Sequence, residues 1–238
     1  MLMTYLVRDV FRAIDSELSM RFPVIFPYLY KTMSPNDFFI SGDSGSGYLN
    51  PTLLFPDKKT GRRGASEVTK SGEAAWSKWC SAWYEQFDLS LTGFLINGDQ
   101  GPLTAEALAM YDSFSPGGVV ITTGHDPVDN DANGKAWVDL GGTPVMHHVA
   151  DLDANFTKAA ITIQGIVAAD RPKLGGQATF YILRNILKAA GYMVDVATTT
   201  KHLVPDAEWV DPYSMGLLIK QAQTVGMAEP EGPGQLSV

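Results

Sequence analysis

Short apolar runs alternate with amphipathic segments along most of the chain. Apolar runs bounded by glycine or polar residues are typical of buried strands, and such runs predict strands at 37–40, 91–97, 117–124, 143–149 and 160–168. Apolar residues at three- and four-residue intervals are typical of helices, which are predicted at 4–18, 66–87, 104–114, 176–191 and 212–223. Strands that are apolar along their whole length and alternate with helices indicate a mostly parallel sheet covered on both faces. The predicted fold class is therefore α/β.

One predicted helix carries tryptophans along a single face. Trp76, Trp79 and Trp83 stand three and four residues apart, and Cys80 lies among them. Such a stripe could be a platform for sugar stacking, but at helical spacing it is more often part of a core. Core packing is therefore expected for these side chains. The single cysteine is expected to be buried as a small apolar residue rather than to act as a nucleophile.

Charge and composition narrow the choice of partners. The 238 residues are 45% hydrophobic, and 18 basic against 26 acidic residues give a net charge of -8. Because no basic cluster is longer than Arg62–Arg63, nucleic acid and anionic membrane are poor candidate partners. Arg8, Asp9 and Arg12 interrupt the N-terminal apolar residues, so this segment does not read as a signal peptide. We predict one domain over residues 1–225 and a disordered tail, rich in proline and glycine, over residues 226–238.

Polar residues follow the predicted strands at their carboxyl ends. In parallel α/β proteins these ends and the loops after them form the working face. Each predicted strand delivers a carboxylate there, although aspartate is also common in ordinary turns. Paired carboxylates perform glycoside hydrolysis, in which one acid protonates the leaving oxygen and the other acts as nucleophile or activates water. The residues at these ends are Asp43, Asn97, Asp99, His125, Asp126, His147, His148, Asp151, Asp170 and Arg171.

The loop after the first predicted strand is part of a longer motif. The stretch PYLYKTMSPNDFFIS followed by GDSGSGYLNP resembles the signature of the GxGYxYP family of putative glycoside hydrolases. The late segments TFYILRNILK and WVDPYSMGLLIKQ resemble the closing part of that family, so the resemblance extends from about Arg21 to Gln221. Leu49–Asn50 replaces the second aromatic position, and Asp43 stands where a small residue or proline is expected. The matching positions are Tyr28, Tyr30, Asn36, Asp37, Phe38, Phe39, Gly45, Gly47, Tyr48, Arg184, Asp211, Pro212 and Tyr213.

The resemblance implies a fold and an activity. The family's C-terminal domain is of the (β/α) barrel kind and opens with earlier strands, one carrying an SDGDN-like segment that this sequence lacks. The predicted strands also fall short of the eight of a closed barrel. We therefore expect a partial or reduced (β/α) barrel with a mostly parallel sheet. The implied activity is hydrolysis of a poly- or oligosaccharide, and the implied location is extracellular, although the sequence shows no signal peptide.

Roles in a glycosidase site can be assigned on this basis. Asp43 and Asp99 are the first pair of candidate catalytic carboxylates, with Asp126 in reserve. The side chains expected to bind sugar by hydrogen bonds and stacking are Tyr48, Asn97, His125, Trp137 and Arg171. The alternative for the loop is structural: its glycines take backbone angles closed to other residues while Asp43 caps a turn. For the whole chain, the alternatives are a non-catalytic carbohydrate-binding domain and a truncated, inactive relative.

One further acidic segment has the spacing that opens a calcium-binding loop. Asp129, Asp131, Asn133 and Gly134 would place alternate oxygens around one ion while the glycine makes the turn. The bidentate glutamate expected at loop position twelve is absent, because Leu140 stands there. A polar turn without metal is therefore favoured, with calcium as the alternative, and no other cofactor is predicted.

Overall fold

The fold is that of a computed structural model of the chain. The described residues are 4–7, 11–14, 22–35, 37–47, 49–55, 72–95, 104–121, 135–138, 141–184 and 189–224. Only the backbone is described for 4–7 and 11–14 and at Phe94, Trp137 and Ala190. The predicted tail at 226–238 lies outside these ranges.

Strands and helices alternate along the described residues. The strands are β1 (Thr4–Val7), β2 (Phe11–Ile14), β3 (Phe38–Ser41), β4 (Leu91–Leu95), β5 (Gly118–Ile121), β6 (Trp137–Val138), β7 (Pro144–Asp151), β8 (Thr179–Arg184) and β9 (Ala207–Val210). The α-helices are α1 (Ile25–Thr32), α2 (Glu73–Phe87), α3 (Ala105–Tyr111), α4 (Phe156–Asp170), α5 (Ala190–Leu203) and α6 (Pro212–Thr224). Two short 3₁₀ turns, Asp43–Gly45 and Pro51–Leu54, follow β3.

The strands form one sheet in the order β2-β3-β4-β5-β7-β8-β1-β9, with β6 paired to β7. Every pair is parallel except β6 with β7. From β2 to β8 the spatial order follows the chain, as it does around a (β/α) barrel. Within the described ranges no ladder joins the edge strands β2 and β9, so the sheet does not close. The predicted α/β fold with a mostly parallel, partial barrel is confirmed.

Helices cover both faces of the sheet. Because successive side chains in a strand point to opposite faces, Phe39 and Ile40 of β3 enter different clusters. Phe39 packs with Phe26 of α1, whereas Ile40 packs in the cluster that contains Met215 and Ile219 of α6. Helices α2 to α5 add to the clusters on the side of Phe39. Helix α6 therefore covers the sheet face that the other helices leave open.

The tryptophan-rich helix is part of the core, as predicted. Trp76 is buried and meets Tyr111 and Phe114 edge-on, with ring centroids 5.0 and 5.4 Å away. Trp83 is stacked on Phe26 of α1. Burial raises the pKa of the Cys80 thiol to about 12, which keeps it protonated and unreactive at neutral pH. The described part of the predicted helix begins at 72, and α2 ends at Phe87.

Three predictions of secondary structure are wrong. The segment at 4–18 contains strands β1 and β2 where a helix was expected, the segment at 160–168 lies inside helix α4, and the segment at 176–191 contains strand β8. Strand β8 lies between β7 and β1 with five buried side chains in succession, so the two-residue alternation that marks a half-exposed strand is missing. Helix α4 begins where the Asn155 side chain accepts a hydrogen bond from the Lys158 amide, a capping signal that periodicity alone does not reveal. Helix α5 and strand β9 were not predicted.

Candidate functional site

The carboxyl ends of the parallel strands bring two sets of polar side chains to one edge of the sheet. Asp43 follows β3 in a 3₁₀ turn, whereas Asp151 and Arg184 are the last residues of β7 and β8. The other residues predicted to form the site lie outside the described residues: Tyr48, Asn97, Asp99, His125, Asp126, Asp129, Asp131 and Asn133.

The loop after β3 has a strained backbone. Asp43 and Ser44 both have positive φ, 32° and 59°, and Gly45 and Gly47 follow at 88° and 89°. A non-glycine residue in this region costs on the order of 1–3 kcal/mol and persists only where the surrounding structure enforces it. The expectation that glycines take angles closed to other residues is confirmed for Gly45 and Gly47, whereas Gly42 has φ of -84°.

Buried aromatic side chains hold this loop in place from the helix side of the sheet. The carbonyl of Ser44 accepts hydrogen bonds from the Tyr111 hydroxyl at 3.0 Å and from the Trp76 indole nitrogen at 3.3 Å. Burial raises the pKa of Tyr111 well above its usual value, so the hydroxyl remains a donor. An atom added at Cβ of Gly45 would lie 2.9 Å from the Cys80 Sγ, so the loop is closely packed against α2. These contacts fix the backbone that carries Asp43.

The ends of β7 and β8 form an ion-pair cluster. Asp151 and Arg184 are partners in the strand register, and the Arg184 guanidinium donates from Nε and Nη2 to the two carboxylate oxygens of Asp151. The buried imidazole of His148 places its Nε2 3.2 Å from the Asp151 Oδ1. We call these three residues the β7–β8 cluster.

The charges of the β7–β8 cluster follow from its contacts. The hydrogen bonds from Arg184 hold the pKa of Asp151 below its usual value, so this carboxylate is ionised at neutral pH. Burial lowers the pKa of His148, although the neighbouring Asp151 acts in the opposite direction, so the imidazole is neutral there. Asp151 is therefore a fixed negative charge and not a proton donor near pH 7.

The two sets are too far apart to act as one catalytic pair. Strands β3 and β7 are separated by β4 and β5, and three steps of about 4.8 Å place the two strands roughly 14 Å apart across the sheet. The register adds to this separation, because Ser41 at the end of β3 is level with Val145, six residues before Asp151. Carboxylates of a glycosidase pair are about 5 to 9.5 Å apart. Asp151 is therefore not the partner of Asp43.

Other predicted positions have different surroundings from those expected. Asp170 and Arg171 lie at the end of helix α4 and not after a strand, so the prediction that they reach the carboxyl edge, where Arg171 was expected to bind sugar, is wrong. Arg171 forms an ion pair with Asp206, which directly precedes β9.

His147 and His148 are both buried. Because they are adjacent in strand β7, their side chains point to opposite faces of the sheet. Trp137 lies in β6, antiparallel to β7.

The late motif residues have structural contacts. The Asp211 carboxylate accepts a hydrogen bond from the Ser214 amide at 2.9 Å and so caps helix α6, with Pro212 as the first helical residue. The Tyr213 hydroxyl donates to the Phe39 carbonyl of β3 at 2.7 Å. This segment therefore fixes the start of α6 against the sheet.

The sequence did not reveal the β7–β8 cluster or the role of Tyr111. The sequence places His148 and Asp151 correctly at a strand end, but it predicts a helix at Arg184, so the register of Arg184 with Asp151 was missed.

Among the described residues no group of three or more His, Cys, Asp or Glu side chains could hold a metal ion. None of the described helices has the length and apolar character of a membrane span.

The comparisons with known proteins identify a family. The model of the GxGYxYP putative glycoside hydrolase C-terminal domain matches residues 13–220, which include every strand from β3 to β9 and the loop around Asp43. No curated protein and no solved structure gives a significant match.

Proposed function

The chain belongs to the GxGYxYP putative glycoside hydrolase C-terminal domain family, and on this premise we propose that it hydrolyses a poly- or oligosaccharide with carboxylates at the carboxyl edge of its sheet. One carboxyl group protonates the glycosidic oxygen, and the second attacks the anomeric carbon or activates water. Asp43 is the first of these groups. The second comes from Asp99 or Asp126, which follow β4 and β5, the next strands of the sheet after β3.

The observation that carries the proposal is the strained turn at Asp43. Positive φ at two successive non-glycine residues is costly, and such strain is concentrated at active sites and ligand clamps. Here it occurs at the carboxyl end of a parallel strand, where α/β enzymes place their catalytic groups. Two buried donors on one carbonyl, that of Ser44, supply the support that such a backbone needs. Tyr48, Asn97 and His125 are proposed to bind the sugar around this turn, and Trp137, in the strand β6 that pairs with β7, is proposed to bind a more distant sugar unit.

The test is release of reducing sugar from a panel of polysaccharides and aryl glycosides. Asp43→Asn keeps the shape of the side chain and suits positive φ, because asparagine tolerates this region well. We expect it to lower turnover by about 100-fold or more, the usual contribution of a catalytic acid or base. Asp99→Asn and Asp126→Asn are tested in the same way, and the variant that loses turnover to a similar extent identifies the second catalytic carboxylate.

Asp88→Asn is the matched control for Asp43→Asn. Asp88 also has positive φ, 51°, but it ends helix α2 and lies before β4, away from the carboxyl edge. We expect wild-type turnover for this variant. Equal turnover in Asp43→Asn and Asp88→Asn would contradict the assignment of Asp43.

The second candidate function is carbohydrate binding without catalysis. It is supported by the β7–β8 cluster, which offers acceptors on Asp151 and donors on Arg184 to sugar hydroxyl groups at the working edge but is too far from Asp43 to share its chemistry. This alternative predicts sugar affinity in a chain that releases no reducing sugar, and affinity that survives Asp43→Asn.

A further inference from the structure

The β7–β8 cluster is a built polar feature with no part in the proposed proton transfers. Its two charged members end adjacent parallel strands and are register partners, so the strand backbones fix the positions of both Cα atoms. The side chains of Arg184 and Asp151 are 36% and 46% exposed. The backbones of β7 and β8 therefore hold the pair in place, while its side chains are exposed to solvent at the carboxyl edge of the sheet, where the Asp43 loop also lies.

The buried imidazole of His148 adds to this order. Its Nε2 lies 3.2 Å from the Asp151 Oδ1, so a buried ring packs against the carboxylate that Arg184 binds. A carboxylate that is held in one orientation binds a ligand without the entropy cost of ordering a free side chain. This organisation exceeds that of an ordinary surface ion pair, whose partners are usually mobile.

The chemistry of the pair fits adjacent hydroxyl groups. A guanidinium offers only donors in a planar fork, and an ionised carboxylate offers only acceptors, with about four lone-pair sites on its two oxygens. In a vicinal diol, one hydroxyl group can donate a hydrogen bond to the carboxylate, and the neighbouring hydroxyl oxygen can accept a hydrogen bond from the guanidinium. Because Asp151 neutralises the charge of Arg184 and the chain carries a net charge of -8, an anionic sugar gains no attraction here.

We propose that Arg184 and Asp151, supported by His148, form a binding subsite for a neutral sugar unit with adjacent hydroxyl groups. Strands β3 and β7 are three spacings of about 4.8 Å apart, and Asp151 also lies beyond the level of Ser41 along the strands. The subsite is therefore roughly 14 Å or more from the Asp43 loop, and a monosaccharide cannot occupy both places. The substrate that uses both is a neutral oligosaccharide or polysaccharide. The inference that one substrate reaches both places rests on the proposed function. Binding of a sugar at the subsite itself does not require that the chain hydrolyses it.

The test measures the affinity of the Asp43→Asn chain for neutral oligosaccharides by isothermal titration calorimetry. The probes are gluco-, xylo- and manno-oligosaccharides from monosaccharide to hexasaccharide, together with uronate-containing oligomers. Arg184→Lys keeps the charge but loses the fork, and Asp151→Asn keeps the shape but loses the charge. We expect each to weaken binding of the longer neutral probes by about 10-fold or more, as expected for loss of a charge-assisted hydrogen bond.

Arg171→Lys is the matched control. Arg171 and Asp206 form a similarly exposed ion pair, 32% and 33%, but at the end of α4 and before β9. The Arg171→Lys substitution should leave the affinity for neutral oligosaccharides unchanged. Thermal unfolding of all variants checks that they are folded. Equal effects of Arg184→Lys and Arg171→Lys would overturn the subsite, as would tighter binding of uronate-containing oligomers than of neutral ones.

The outcomes separate the subsite from the proposed function. If the wild-type chain releases no sugar but binds oligosaccharides through Arg184, hydrolysis is rejected and the subsite stands. If the chain hydrolyses a neutral polysaccharide and Arg184→Lys changes neither its KM nor the measured affinity, the subsite is rejected and hydrolysis stands. Absence of any neutral-oligosaccharide binding by the folded Asp43→Asn chain overturns the subsite.

Discussion

Two aspartates at the carboxyl edge of the sheet are positioned in opposite ways. Asp43 is placed by its backbone, because buried neutral donors hold the Ser44 carbonyl and force positive φ in the turn. Asp151 lies at the end of strand β7 and is placed by its ion pair with Arg184, beside the buried imidazole of His148. The difference shows that one edge can combine a rigid, strained turn with an ionic cluster.

The two constructions predict different responses to perturbation. The Asp43 turn depends on close packing and on hydrogen bonds that do not titrate near neutral pH, so it should be sensitive to small changes in shape. The β7–β8 cluster depends on ionised groups, so it should be sensitive to pH.

The largest effect is expected at Gly45. Gly45 and Gly47 have nearly the same φ, 88° and 89°, but a Cβ at Gly45 would lie 2.9 Å from the Cys80 Sγ, whereas nothing lies within 4 Å of a Cβ at Gly47. Gly45→Ala combines backbone strain with overpacking and should lower the free energy of unfolding by about 3 kcal/mol. Gly47→Ala carries the strain alone, about 1 kcal/mol. Denaturant unfolding measures both, and equal losses would show that packing against α2 does not define the turn.

A smaller effect is expected from removing one hydroxyl group. Tyr111→Phe deletes a donor to the Ser44 carbonyl, and Tyr213→Phe deletes a donor to the Phe39 carbonyl earlier on the same stretch. Each should cost about 1 kcal/mol of stability, the net worth of one hydrogen bond. Only Tyr111→Phe should speed amide hydrogen exchange in residues 43–47, because only this hydroxyl supports the turn. Unchanged exchange there would mean that Trp76 alone is sufficient.

The smallest effect is a dependence of stability on pH at the β7–β8 cluster. The native pKa of His148 lies below its ordinary value of 6.5 and that of Asp151 below 3.8, so the unfolded chain binds more protons at both sites. Stability is therefore retained above those ordinary values and is lost as the pH falls through the native ones. His148→Gln should flatten the decline in unfolding free energy that begins below about pH 6.5. An unchanged decline in His148→Gln would show that this group does not contribute.

The sequence predicted the part of the sheet that carries Asp43 better than the part that carries Asp151. Glycine punctuation around an apolar run located β3, β4 and β5, and helical spacing located α2 and α6. The strained φ at Asp43 and Ser44 could not be predicted, because it is imposed by Tyr111 and Trp76, which are distant in sequence. Local patterns do not carry such tertiary information.

The β7–β8 end was missed for a different reason. Arg184 is the last residue of β8, a buried strand that lies between β7 and β1 in the sheet. Periodicity cannot tell a short, fully apolar strand of this kind from a buried helix. Because the apolar spacing predicts a helix in this segment, the register that pairs Arg184 with Asp151 does not follow from the sequence. Strand β1 shows the same limit, because its place between β8 and β9 is set by distant partners.

The most direct test of the account is rescue of an Asp43→Gly chain by formate. Glycine accepts the positive φ of this position, and the space left by the side chain can admit a small carboxylate. We expect Asp43→Gly to lose sugar release and added formate to restore part of it, while the Asp88→Gly chain is active with or without formate. Full activity of Asp43→Gly without formate, or an inactive chain that formate does not restore, would contradict the claim that the Asp43 carboxylate takes part in the reaction.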